Sequence, residues 1–336
     1  MPAILFAALL AQSALQVHGW VDAYYGLNAN RPPDGDSFLP GTGTTAHRAN
    51  ELDVNAAAID LSVEPKPVGM HLTVAFGSGV EVLHAAEPAL WRNLYQASVS
   101  YAVSKLTVEA GIYPSHIGYE SFFSKDNWNY TRGWMGEYSP YYQAGVKATY
   151  AFDARWSAQV HFLNGWQLIR DNNHAKAVGT QVAFAGEKLS VAFNTFAGPE
   201  LPGDDTHWRL FGDVTAQYKV SSSLSLGASA DLGWQDRPQP QGAALWHAAS
   251  LFARLAFSDR AALALRAEYY DDRDGFMSGT AQLLRDGTLT LELRPAEPLI
   301  LKLEAREDIS DASVFKTRDG TSTTQFLALA SAVVGF

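Results

Sequence analysis

The 336-residue chain contains no cysteine, which removes disulfide scaffolds and thiolate metal sites from consideration. Charge is also scarce: Asp, Glu, Lys and Arg make up 18% of the residues, against roughly 25% in average soluble chains. What charge there is leans acidic, for a net of -10. No basic stripe exists to neutralise phosphates, so nucleic acid is excluded as a partner. Beyond the first dozen residues there is no run of 18 apolar residues. A membrane helix, which needs roughly 20, is therefore excluded. A closed barrel remains as the only spanning structure, because it too leaves no backbone group unpaired in lipid. The 27 Gly are scattered, with no collagen period and no low-complexity tract.

What the chain does have is aromatic residues and alternation. Aromatics reach 12%, including nine Trp and fourteen Tyr, which suits a protein with wet and oily boundaries. The run 325–336 ends on Phe336, and Phe326, Ala328, Ala330, Ala332 and Val334 are apolar at every second position. That is the two-residue period of a strand with one apolar face. A terminal Phe on such a strand resembles the ending of bacterial outer-membrane barrels, where the last strand closes the barrel and is read by the assembly machinery. At the other end, Ala3–Ala11 is a short apolar run followed by small and polar residues, the core of a signal peptide, although no Lys or Arg precedes it. We assign 1–18 to the signal peptide, without fixing the cleaved bond, and 19–336 to a single barrel domain.

Strand after strand carries apolar side chains on one face. Leu106, Val108, Ala110 and Ile112 oppose Lys105, Thr107, Glu109 and Gly111. Leu289, Leu291 and Leu293 oppose Thr288, Thr290, Glu292 and Arg294. Leu299, Leu301, Leu303 and Ala305 oppose Ile300, Lys302, Glu304 and Arg306. A soluble sandwich shows the same alternation. The connections separate the two. Short turns (64–67, 152–154, 186–187, 219–222, 258–260, 295–298) alternate with long loops (29–51, 78–93, 114–140, 165–176, 197–207, 235–244, 271–287, 307–324). Long loops on one side and tight turns on the other is the layout of outer-membrane barrels, with the turns in the periplasm. The expected fold is all-β, a transmembrane antiparallel up-and-down barrel of about 16 strands, with 14 to 18 allowed. The first strand begins just past the leader, leaving no room for an N-terminal plug.

Several segments resemble the OmpL-like β-barrel porin family, also called beta-barrel porin type 2. Gly19-Trp-Val-Asp-Ala-Tyr-Tyr25 is similar to its opening strand. The stretch 110–120, with Ile-Gly-Tyr-Glu, and Asn127-Trp-Asn-Tyr-Thr-Arg132 resemble its strand-to-loop segment. The segments 267–275 and 301–310, with Phe315, are similar to its closing strands. The resemblance covers almost the whole mature chain. It implies a pore in the outer membrane of a Gram-negative bacterium; it supplies no substrate and no catalytic residues.

Side chains opposite the apolar faces point inward, since lipid penalises a mid-bilayer Arg or Lys by roughly 2–4 kcal/mol. The expected pore-lining residues are Glu109, Lys147, Arg209, Asp213, Arg254, Arg266, Glu268, Glu292, Arg294, Lys302, Glu304 and Arg306, with His161 beside them. Their functional reading is a basic wall facing acids across water; the plainer one is cross-strand pairing that braces the wall. The loop 114–140 packs seven Tyr, Phe and Trp among Glu120, Lys125, Asp126, Arg132 and Glu137, the candidate constriction residues. A loop so long and aromatic folds back onto something, either the lumen or neighbouring loops. Trp20, Trp91, Tyr101, Trp156, Trp166, Trp208, Trp234, Trp246 and Tyr269 are assigned to the interfacial girdles.

Catalytic patterns are weak. No His-x-Ser pair of an outer-membrane phospholipase occurs, the nine His show no ligand spacing, and Asp204, Asp205 and His207 are the nearest to an omptin-like set. No enzyme, metal site or cofactor is expected. The expected function is a water-filled porin passing small hydrophilic solutes by diffusion; the alternative is an occluded barrel with a structural or partner-binding role. Expected partners are outer-membrane lipid and lipopolysaccharide, the assembly machinery through Phe336, and small solutes, with a homotrimer as one assembly open to it.

Overall fold

The computed structural model describes residues 14–239 and 242–336. Most of the expected signal peptide, residues 1–13, lies outside the described residues. The strands are β1 (Gln16–Asn28), β2 (Leu52–Val63), β3 (Val68–Phe76), β4 (Leu94–Val103), β5 (Leu106–Pro114), β6 (Tyr142–Ala151), β7 (Trp156–Leu163), β8 (Ala177–Ala185) and β9 (Leu189–Pro199). They continue as β10 (Trp208–Lys219), β11 (Leu224–Arg237), β12 (Gly242–Ser258), β13 (Ala261–Asp272), β14 (Gln282–Leu293) and β15 (Leu299–Ser310). A small hairpin, β16 (Phe315–Thr317) and β17 (Gly320–Ser322), precedes the last strand, β18 (Thr324–Gly335). Among the described residues, every strand but the hairpin's two joins one closed antiparallel barrel of 16 strands.

Closure falls where the chain's ends meet. Strand β18 pairs with β15 on one side and with β1 on the other, in the register Trp20↔Gly335. Phe336 extends that ladder, its N–H donating to the Gly19 carbonyl at 2.9 Å and its carbonyl accepting the Gly19 N–H at 3.2 Å. The Phe336 ring lies over Gly19, where a Cβ would come within 2.5 Å of it.

The barrel is apolar outside and charged inside. On the outward face Leu251 is 66% exposed and Leu303 48%, while inward Arg266 and Arg306 are fully buried. An aqueous fold would reverse these faces. Lipid accounts for the pattern, because it covers the leucines and leaves the ionisable groups to a polar interior.

Several boundaries depart from the sequence reading: β9 runs to Pro199, β11 to Arg237 and β12 from Gly242, all inside the expected loops 197–207 and 235–244. The hairpin β13–β14 is longer than expected, so its loop is 273–281 rather than 271–287; the Arg285-Asp-Gly287 stretch is strand, paired with Tyr269, Glu268 and Ala267. Strand β15 likewise runs on to Ser310. The final strand carries apolar side chains inward as well, Leu327, Leu329 and Val333, on one buried face with Gln325 and Ser331. Leu327 and Leu329 need that character because the long-loop half of the interior is packed. Tyr24, Tyr113, Leu163, Phe196, Phe211, Trp246, Tyr270, Leu284 and Leu327 form one apolar cluster with Phe38, Trp134 and Phe315 from the loops. Trp246 lies flat across its strand neighbour Gly233, where a Cβ would fall 1.9 Å from the indole.

Candidate functional site

Segment 115–141, between β5 and β6, folds into the barrel. It holds only a 3-10 turn at Ser124–Asp126 and a short helix at Trp134–Tyr138, so most of its backbone groups lack partners of their own. Buried backbone N–H and C=O groups must be paired, and here the wall does it. Asp213 accepts the Gly118 N–H at 2.8 Å. Glu304 accepts the N–H groups of Tyr130 and Thr131, and Glu268 that of Met135 at 3.0 Å. Lys302 donates to the carbonyls of Ser124 at 2.8 Å and Asn127 at 2.6 Å. Arg306 donates to the Arg132 carbonyl and Arg266 to that of Thr131. On β1, Asp22 receives the hydroxyls of Ser124 and Tyr130.

Behind these contacts an ionic network ties the wall to itself. Asp286 receives Arg266 at 2.8 Å and Arg306 at 2.9 Å, and Arg306 also reaches Asp308 at 2.7 Å. Arg266 extends to Glu120 of the segment at 2.9 Å. The Arg306 guanidinium is covered by the rings of Phe38 and Trp134, a geometry that favours a desolvated cation.

The expected wall residues thus fall into three groups. Asp213, Arg266, Glu268, Lys302, Glu304 and Arg306 are buried against segment 115–141. Arg209 is buried higher up, its guanidinium boxed by Trp166, Trp246 and Phe276 at 5.3 to 5.8 Å. Glu109 and Lys147, paired at 2.8 Å, and Arg254, Arg294 and Glu292 sit in the short-turn half, where all but Glu292 keep partial exposure. His161 is buried and stacked on His116 at 4.0 Å. Burial of the His116 imidazole holds its pKa below the usual histidine value.

The candidate constriction residues divide likewise. Arg132 is fully buried, bonding Thr44 and the Phe122 carbonyl. Glu137 accepts N–H groups of Gly43 and Thr44, pinning loop 29–51 over the segment. Glu120 joins the network above. Lys125 and Asp126 pair at 2.8 Å and border a cavity of about 550 Å³ shared with Trp20, Asp60, His71 and Gln96.

Asp22, Asp286 and Asp308 take part in the site unforeseen. Asp286 and Asp308 lie within the expected loops 271–287 and 307–324, yet Leu284, Asp286, Thr288, Thr290 and Glu292 continue one inward face without a break. Holding the period of two through Arg285-Asp-Gly287 finds Asp286. The girdle assignment is corrected for three residues: Trp166 and Trp246 face inward around Arg209, and Trp20 faces inward against Phe123 and Lys125. Trp156, Trp208, Tyr101 and Tyr269 are outward and exposed. Of the omptin-like set, Asp204 pairs with His207 and Asp205 with His174 in the loops. Among the described residues no three His, Asp or Glu side chains gather into a metal-holding group.

A closed 16-stranded barrel, apolar outside, charged within and entered by its third long loop, defines a porin-type channel of the outer membrane. The family described as "Putative beta-barrel porin-2, OmpL-like" matches residues 14–336, and the chain belongs to that family, whose members are channels rather than enzymes. Solved structures agree on the fold. OmpF of Salmonella typhi, solved with daunomycin, superposes with a TM-score of 0.68 at 12% identity, covering 96% of this chain and 98% of that one. An anion-selective porin from Comamonas acidovorans gives 0.64 at 10%, covering 96% and 100%. The trimer form of OmpT from Vibrio cholerae gives 0.61 at 11%, covering 96% and 99%. No curated protein sequence matches the chain.

Proposed function

We propose that this porin passes small hydrophilic solutes by passive diffusion, with segment 115–141 as its constriction. The observation that carries this reading is the division of the charged wall. Six of its members, Asp213, Arg266, Glu268, Lys302, Glu304 and Arg306, anchor the segment, whereas Glu109, Lys147, Arg254 and Arg294 keep partial exposure in the short-turn half. Those four, with Lys125 and Asp126, are the residues a solute meets. The remaining wall members, Arg209, Asp213, Arg266, Glu268, Glu292, Lys302, Glu304 and Arg306, act on it only through their field or through the segment's position.

The short turns face the periplasm in this reading. Outer-membrane lipid and lipopolysaccharide surround the exposed leucines, and Phe336 is the element offered to the assembly machinery. The trimer form of OmpT supports a homotrimer for this chain as well.

The test is single-channel conductance of the purified barrel in a planar bilayer. Discrete ohmic steps support diffusion. A second reading, the occluded barrel, is favoured by the full burial of Arg132, Arg266 and Arg306 and by the packed long-loop half. It predicts no steps at all.

A further inference from the structure

Arg254 and Arg294 converge on one carboxylate oxygen. Arg254 Nη2 lies 3.0 Å and Arg294 Nε 3.1 Å from Glu292 Oε1, and Lys302 Nζ stands 3.9 Å from Glu292 Oε2. One acid therefore answers both arginines, while Lys302 beside it is also faced by Glu304 and Asp22. Lys302 is fully occupied by segment carbonyls, but the two arginine side chains remain 29% and 39% exposed. The surroundings are small. Arg254 stands on β12 and reaches over β13 to β14, and it can do so because the inward residues between are Ala262 and Ala264. Both alanines are 2% exposed. Substituting longer side chains there would fill the space the arm crosses.

We propose that Arg254 and Arg294 form a binding site for a small oxyanion, a phosphate group free or carried on a solute, at the short-turn mouth. A guanidinium presents five donors in a fixed fork, and each arginine here spends one on Glu292. The remaining donors of two neighbouring forks suit an anion with several oxygens, which accepts charge-assisted bonds from both. Bound there, the anion shares the forks with Glu292, whose charge opposes it. This inference names the solute class that the channel reading leaves open, and it rests on that reading only for its consequence in transport.

The test measures binding to the purified, detergent-solubilised full barrel at fixed 0.1 M-scale salt, which screens diffuse charge beyond about 10 Å. Calorimetric titration uses inorganic phosphate in one arm and glycerol phosphate in the other. Arg254→Gln with Arg294→Gln should weaken binding by at least about tenfold, as loss of charge-assisted bonds implies. Glu292→Gln should tighten it, because the competing acid is gone. A purely structural triad predicts no gain in binding with Glu292→Gln, and that result overturns the site. So does wild-type binding no stronger than that of the double variant. Heat-modifiable electrophoretic migration confirms that each variant is a folded barrel. Binding in only one arm identifies the source, free phosphate or ester. Because binding is read without current, a barrel that binds phosphate but conducts nothing keeps the site and refutes the channel reading alone.

Discussion

Glu304 on β15 accepts the backbone N–H of Tyr130 at 2.5 Å, across the barrel and 174 residues away in sequence. The same carboxylate takes the Thr131 N–H at 2.9 Å, together with the Thr131 and Thr290 hydroxyls. Each donor left buried without an acceptor costs about 1–3 kcal/mol. Glu304→Ala should therefore release the middle of segment 115–141 while leaving the barrel ladder intact. The expected outcome is larger, noisier single-channel conductance and faster tryptic cleavage at Lys125 and Arg132. Unchanged conductance together with unchanged proteolysis would show that other contacts hold the segment.

The barrel itself was legible because lipid and strand pairing impose simple periods. Leu299 to Arg306 alternates cleanly, and turns such as Pro295–Pro298 break it at regular intervals. The site was legible only in part. Period two puts Arg266 and Arg306 on the inner face, but nothing local distinguishes an inner side chain facing water from one capping the backbone of a loop. That distinction depends on the path of 115–141, set by contacts 95 to 178 residues distant, from Asp213 to Gly118 up to Lys302 to Ser124. Trp166 and Trp246 depart from the girdle for a related reason. A Trp near a strand end reads as a girdle residue until an inward cation such as Arg209 is known to stand beside it.

Gly233 is fixed by its neighbour rather than by its backbone. Any Cβ there collides with Trp246, which supports Phe211 and the Arg209 box. Gly233→Val should lower the temperature at which the barrel loses its folded electrophoretic mobility, as overpacking typically costs about 1–3 kcal/mol. Gly287→Val, at a position with open space around it, is the control and should change little. Equal effects from the two would mean that β-propensity, not the Trp246 contact, governs both.

Glu200, in the loop after β9, supplies a pH dependence. Burial pushes its carboxyl up to about 7, against the opposing pull of Arg209, and it accepts the Trp166 N–H at 2.8 Å. A folded pKa above the unfolded one means the folded state binds the extra proton. Its contribution is greatest below pH ~4.5 and is lost as pH rises toward 7. After correction for intrinsic exchange, protection of the Trp166 amide should fall between pH 5 and 8. Glu200→Gln should flatten that profile, and a wild-type profile already flat would contradict the burial of the charge.

The loops' accessibility tests orientation and the inserted cap together. Asp319 lies in the hairpin loop before β18 and is exposed, and Lys66 is exposed in the turn between β2 and β3, at the opposite end of the barrel. A cysteine at Asp319 should react with an impermeant maleimide on intact cells, and one at Lys66 only after the outer membrane is opened. Thr44 gives the sharper result. It belongs to the long loop 29–51, which a simple reading leaves facing the medium, yet it is only 4% exposed, held by Glu137 and Arg132. Thr44→Cys should stay unlabelled on intact cells and on opened ones, becoming reactive only when Glu137→Ala frees the loop. Labelling at Lys66 but not Asp319 on intact cells would invert the barrel. Rapid labelling at Thr44 with Glu137 intact would show that loop 29–51 stands open, and the packing of Phe38 on Trp134 would fall with it.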